Sequence, residues 1–378
     1  MNKRWDIFCT VIDNFGDIGV CWRLARQLAS QHELVVRLWI NDLVSFNHIA
    51  PDVDLTAKQQ WVQSVDIRYW QESFINIEPA DVVIEAFSCK LPDSYINSMI
   101  TLPQTSVWLN LEYLSAENWV IGCHGLASPH PYLPLIKHFF FPGFVSGTGG
   151  LLLEQHLLID KKSFNALSQL EFWRHLGVPE RKEKELRVSM FCYDDAPLGN
   201  LLSVLATSST PVYVLLFQGP IVNSAAVFFG VTSLEIGGVL QSGQLTVQLI
   251  PFLEQSNYDR LLWACDINFV RGEDSFVRAQ WATRPFIWHI YPQENNAHQI
   301  KLDAFLDLYT RDMPSNMAAT VLALWHSWND GTQIKDAWLS FIAQQVNLTQ
   351  HSETWVDQLS SLGDLASNLI LFSQENRI

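Results

Sequence analysis

Arg271, Gly272, Glu273, Asp274 and Ser275 form a short polar run between an apolar stretch, Ile267 to Val270, and a helical pattern continuing through Trp281. An arginine fork beside the free N–H groups of a helix start suits phosphate oxygens. Gly272 permits a tight turn, and Asp274 or Ser275 is placed to cap the helix. The plainer alternative makes Arg271 and Glu273 an ordinary surface pair. A second run, Asp13-Asn14-Phe15-Gly16-Asp17-Ile18-Gly19, carries two carboxylates. One can accept a proton from a substrate while the other orients it or strengthens it as a base. As mere architecture, Asp17 would cap a helix and Asp13 would end a strand. The run has Gly-x-x-Gly but not the preceding Gly-x of a dinucleotide fingerprint.

Aromatic residues recur at equivalent places. Phe191 and Tyr193 follow one apolar stretch, Phe252 and Gln255 follow another, and Tyr291 ends a third, which gathers rings beside Arg271 where a flat base would stack. In a chain with 15 Trp and 22 Phe, any single ring reads as core; the shared position is the signal. No metal is expected: Asp52 and Asp54 follow Ala50-Pro51 rather than a buried strand, and His124, His130 and His138 lack zinc spacing. Walker A and Gly-x-Ser-x-Gly patterns are absent, which counts against a P-loop NTPase and a serine hydrolase. His289 and His298 read as packing residues, or else as contacts to phosphate or substrate.

These residues need strands to carry them. Trp5–Ile12, Glu33–Ile40, Asp81–Phe87 and Thr105–Leu111 read as buried strands, and Ile18–Ser30 as a helix with Val20, Leu24 and Leu28 on one face. The glycine-rich stretch from Phe139 to Leu153 closes this half. Ser163–Leu176 is helical and Gly177-Val178-Pro179 stops it. The mixed-charge run Glu180–Glu185 then reads as a solvated linker. Beyond it, strands at Leu186–Phe191, Val212–Phe217, Leu245–Ile250, Ile267–Val270 and Arg284–Tyr291 alternate with helices at Leu198–Thr207 and Asn257–Ala264. A last helix is expected over Trp355–Phe372. The reading is α/β in two Rossmann-like domains: residues 1–180, residues 181–354, and a C-terminal helix from about 355 to 378 packing back on the first.

Composition narrows the function. The 378 residues carry a formal net charge of −15, with 48% hydrophobic and 17% charged residues. That balance describes a core-rich globular chain and not a nucleic-acid binder, because no basic cluster is present to displace phosphate counterions. No apolar run approaches the roughly 20 residues of a membrane span, and no signal-peptide core follows the N-terminus. Six scattered cysteines without Cys-x-x-Cys spacing fit free thiols in a reducing compartment. A cytoplasmic location is expected.

A carboxylate loop in one α/β half and a diphosphate-type loop in the other suggest a GT-B glycosyltransferase with its cleft between the domains. The stretch from Asp6 to Arg26, the Phe139-Phe140-Phe141-Pro142-Gly143-Phe144 segment with Thr148-Gly149-Gly150-Leu151, and Arg271 to Trp281 together resemble the protein-arginine rhamnosyltransferases that modify bacterial elongation factor P, the EarP family. The resemblance covers essentially the whole chain. It implies inverting, metal-independent transfer of L-rhamnose from dTDP-β-L-rhamnose to an arginine guanidinium of elongation factor P, with no other cofactor. It also implies Asp17 as general base and Asp13 in support. Phe191, Tyr193, Phe252 and Gln255 would hold the nucleotide, with Phe252 against thymine. Arg271, Asp274, Ser275 and Tyr291 would hold diphosphate or sugar. Glu273 belongs to the site, either touching the donor or steadying the acceptor. The rival readings are a sugar-nucleotide epimerase of the same fold and a non-catalytic nucleotide-sugar-binding partner of the translation machinery.

Overall fold

Strands that read as unbroken apolar runs should be covered on both faces, and that is how they lie in the two sheets of this chain. The structure, a computed structural model, describes residues 3–12, 15–70 and 77–376. It divides into two units, Met1–Gln155 with Gln358–Ile378, and His156–Asp357.

The first unit holds β1 (Arg4–Cys9), β2 (Val35–Ile40), β3 (Gln59–Val62), β4 (Val65–Tyr69), β5 (Val82–Ala86), β6 (Val107–Leu111), β7 (Ala127–Pro129) and β8 (Ile136–Phe140). Their order is β3-β4-β2-β1-β5-β6-β8-β7. The edge strands β3 and β7 pair antiparallel and the rest run parallel, so the carboxyl ends of β1, β5 and β6 share one edge. The helix Gly16–Gln31 returns over the sheet, burying Val20, Leu24 and Leu28 as their spacing predicts.

The second unit holds β9 (Leu186–Met190), β10 (Val212–Phe217), β11 (Val239–Ser242), β12 (Leu245–Ile250), β13 (Ile267–Arg271) and β14 (Phe286–His289), ordered β11-β12-β10-β9-β13-β14. Only β11 is antiparallel to its neighbour.

Two boundaries differ from the sequence reading. Residues 156–180 pack within the second unit, where Trp173 covers the Arg187 guanidinium at 4.5 Å and Gln248 donates to the Gly177 carbonyl at 3.4 Å. The glycine and charge run at 177–185 is therefore a loop inside a unit, and the division falls at Gln155 instead. The last helix also breaks, into Gln345–Ser360 and Leu365–Glu375. Asp364 caps the second piece through the Ser367 N–H at 3.0 Å and accepts from Gln27 at 2.9 Å. The Leu365 N–H donates to the Leu151 carbonyl at 2.9 Å, and Asn368 donates to the Gly149 carbonyl at 3.0 Å.

The glycine-rich stretch thus acts as the seat of the C-terminal helix. Gly150 has φ +71°, and a Cβ there would lie 2.8 Å from the Gly363 carbonyl. Gly150→Ala is expected to cost about 2 kcal/mol or more, because strain and overpacking add. Urea unfolding checks this, and an unchanged midpoint would remove the seat. All six cysteines are free thiols, and among the described residues no helix is long and apolar enough to cross a membrane.

Candidate active site

The carboxyl edge of the second sheet is built around one arginine. β13 ends at Arg271, Gly272 takes φ +63°, and the helix Asp274–Trp281 begins two residues later. The Arg271 guanidinium carbon lies 4.6 Å from the Phe191 ring and 4.5 Å from the Tyr193 ring, cation–π contacts that fix its plane. Both rings follow β9, the strand beside β13. Trp288 on β14 donates its indole N–H to the Gly272 carbonyl at 3.0 Å and stacks on Phe276 at 4.0 Å, which pins the turn from the other side.

Asp274 and Ser275 do not cap this helix as expected. Glu273 occupies the N-cap position without a side-chain cap bond, and Asp274 lies in the first turn. The left-handed Gly272 shortens the connection, so Ser275 folds back: its Oγ accepts from the Arg271 N–H at 3.1 Å and donates to the Arg271 carbonyl. The hydroxyl is spent on holding the strand end. Gln255, buried at the start of the helix Gln255–Ala264, donates to Asp274 at 3.4 Å.

The aromatic rim gathers as expected. Phe252 meets Phe191 edge to face at 6.0 Å, and Tyr291, about half exposed, meets Tyr193 at 5.4 Å. Phe217 and Tyr258, which the sequence did not single out, close the floor against Phe191 at 5.1 and 6.1 Å.

His289 is a holding residue. It is buried, its Nδ1 accepts the Tyr193 N–H at 3.2 Å, and its Nε2 faces Asp195 at 3.5 Å. Burial pushes its pKa down to about 4; Asp195 opposes this and Arg271 adds to it. Between the ordinary value of about 6.5 and about 4, the unfolded chain binds a proton that the native ring refuses, so stability falls as pH falls through that window. His289→Gln is expected to flatten that part of the decline. Urea midpoints at intervals from pH 7 to pH 4 read it out, and an equally steep decline in the variant would contradict the assignment. His298 serves locally, accepting the Gln293 N–H at 3.1 Å.

In the first unit, Asp17 stands in the first turn of the helix Gly16–Gln31, with Phe15 rather than an aspartate at the N-cap. Its side chain is buried, and Oδ2 accepts the Ile12 N–H at 2.8 Å, tying the end of the β1 loop to the helix. Asp13 lies outside the described residues. The predicted nucleotide and diphosphate residues therefore converge on one sheet edge, and Asp17 sits at the corresponding edge of the other sheet. Asp52 and Asp54 are exposed, and among the described residues no three His, Cys, Asp or Glu side chains group as metal ligands.

The chain matches the family model "Elongation-Factor P (EF-P) rhamnosyltransferase EarP" over residues 5–374. It is 48% identical over 374 residues to the protein-arginine rhamnosyltransferase of Pseudomonas putida, covering 98% of this chain and 99% of that one. A structure solved to show the structural basis for EarP-mediated arginine glycosylation of translation elongation factor EF-P is similar at a TM-score of 0.72. It shares 34% identity with this chain and covers 99% of it and 100% of its own length. The spinosyn rhamnosyltransferase SpnG, solved with thymidine diphosphate, shares the fold at a TM-score of 0.51 and 9% identity, over 99% of this chain and 100% of that one. On this coverage and identity the chain belongs to the elongation factor P rhamnosyltransferase family, and its paired α/β units have the GT-B glycosyltransferase fold.

Proposed function

We propose that this chain transfers L-rhamnose from dTDP-β-L-rhamnose to a guanidinium nitrogen of one arginine of elongation factor P, in the cytoplasm, with inversion and without a metal ion. The observation that carries the reading is the Arg271 guanidinium, held against Phe191 and Tyr193 at a sheet edge beside a helix N-terminus, in a chain the family model matches almost end to end. A fixed cation and the positive end of a helix stabilise the charge that grows on a departing diphosphate. Phe252 takes thymine, Gln255 holds Asp274 in place beneath the sugar diphosphate, and Tyr291 closes the exposed side. Glu273, next to Arg271, contacts the donor or steadies the acceptor.

The acceptor is a difficult nucleophile. A guanidinium has a pKa above about 12 and attacks only as it sheds a proton. In the proposed step the C–N bond forms at the anomeric carbon as the bond to the diphosphate oxygen breaks. dTDP departs, and the guanidinium proton passes to Asp17. Asp13 supports the cation before transfer by a charge-assisted hydrogen bond. Asp17 is buried and its Oδ2 holds the Ile12 N–H, so the carboxylate is fixed in place before the acceptor arrives.

The test mixes the chain, dTDP-rhamnose and unmodified elongation factor P and reads intact mass. A gain of one deoxyhexose on the factor, lost when its target arginine is replaced, is expected. An epimerised sugar formed from donor alone, or no reaction at all, would replace this reading with one of its rivals.

A further inference from the structure

At the carboxyl edge of the first sheet, three unfavourable features converge on one carboxylate. The turn after β5 places Phe87 at φ +55° and Ser88 at φ +56°, closed by the Cys89 N–H on the Ala86 carbonyl at 3.1 Å. Two consecutive left-handed residues normally call for Asn-Gly, and a phenylalanine there is strained. The third feature is Asn110, 1% exposed, whose Oδ1 is buried without a hydrogen-bond partner among the described residues. Its Nδ2 must face the Glu112 carboxylate, which leaves the oxygen unmet.

What this strain achieves is the fixing of Glu112. Its Oε1 accepts from Asn110 and from Ser88, the latter at 3.3 Å. Both donors are neutral. No lysine or arginine pairs with Glu112 among the described residues, and Lys137 on β8 is committed to Glu85 at 3.1 Å. Beside it Phe87 stacks on Tyr113, 36% exposed, at 4.5 Å and 20°. An oriented carboxylate lacking a cation, next to an aromatic stack, is the receptor a planar guanidinium fits better than an ammonium does. β5 lies between β1 and β6, and Cys89 donates to the Phe8 carbonyl at 3.2 Å, so the turn is anchored to the carboxyl-terminal end of β1, the strand that leads into the Asp17 loop.

We propose that Glu112, held by Ser88 and Asn110 beside the Phe87–Tyr113 stack, binds the guanidinium of the acceptor arginine. This rests on the reading of the chain as an arginine transferase, in which Asp17 takes the proton and Glu112 holds the cation. Strain and an unmet acceptor are then retained because the carboxylate must be aimed before the substrate arrives.

The test is a double-mutant cycle on the full chain. Glu112→Gln keeps shape and loses charge, and is expected to weaken binding of elongation factor P by about tenfold or more, the scale of a charge-assisted bond. The KM for dTDP-rhamnose and the thermal midpoint should stay unchanged. The penalty should vanish when the factor's target arginine is replaced by alanine, and Glu112→Asp should recover part of it. A penalty that persists with the alanine factor, or no penalty at all, would overturn the proposal. Ser88→Ala, a milder change, should weaken the same binding and should also lose its effect with the alanine factor; if Glu112→Gln does not fold, an unchanged affinity in Ser88→Ala overturns the proposal. Wild-type chain that transfers no rhamnose would overturn the transferase reading and this inference together, whereas normal transfer with unchanged acceptor affinity in the variants overturns this inference alone.

Discussion

Asp17→Asn is expected to lower the turnover number at least about a hundredfold, the usual scale of a lost general base, while donor binding stays at its wild-type value. Asparagine preserves the volume and one carbonyl oxygen, so the Ile12 N–H that Asp17 holds at 2.8 Å keeps an acceptor and the loop after β1 stays anchored. What the amide cannot do is receive a proton. The base assignment therefore predicts a change in chemistry with little change in architecture, and single-turnover intact-mass kinetics beside calorimetric titration of the donor separate the two. Full turnover by the variant would sink the assignment. Loss of turnover together with a large fall in thermal midpoint would point to the buried anchoring role instead.

Arg271→Ala is expected to weaken donor binding and slow transfer together, by about a hundredfold or more in kcat/KM. The guanidinium meets Phe191 at 4.6 Å and Tyr193 at 4.5 Å, so its removal takes away the charge and also a group packed on two rings. Arg271→Lys retains the charge without the plane. It should recover only part of the loss, because an ammonium neither packs flat on the two rings nor presents a fork to two phosphate oxygens. Donor affinity equal to wild type in Arg271→Ala would remove Arg271 from the diphosphate site. The turn itself should survive the change, since Trp288 holds the Gly272 carbonyl and Ser275 bonds only to the backbone of residue 271.

Much of this was legible in the chain, and the reason is local. β10 and β12 occupy the residues their apolar runs mark, and β13 and its helix follow from an apolar stretch, a glycine and a polar helix start. Periodicity is a property of neighbours in sequence, so it reports elements that neighbours make. The places where the reading went astray are places where distant residues decide. The break at residues 361–364 is set by Leu151, Gly149 and Gln27, all more than 200 residues away in sequence. The return of Ser275 onto Arg271 is the local exception, a matter of one left-handed glycine and a hydroxyl rotor.

Sequence by itself determined the fold class, the family and the residue types able to hold a nucleotide diphosphate and accept a proton, because strand patterning and motif chemistry are written in contiguous residues. Only the tertiary structure decided that the Arg271 plane is held by two rings, that His289 is a neutral support under Tyr193, that Asp17 is buried against Ile12, and that Ser88 and Asn110 aim Glu112. Most of them, Arg271 with Phe191 and Tyr193, His289 with Tyr193, and Ser88 with Glu112, are contacts between strand ends brought side by side by a parallel sheet. Parallel pairing joins residues separated by a whole crossover, which no local pattern records.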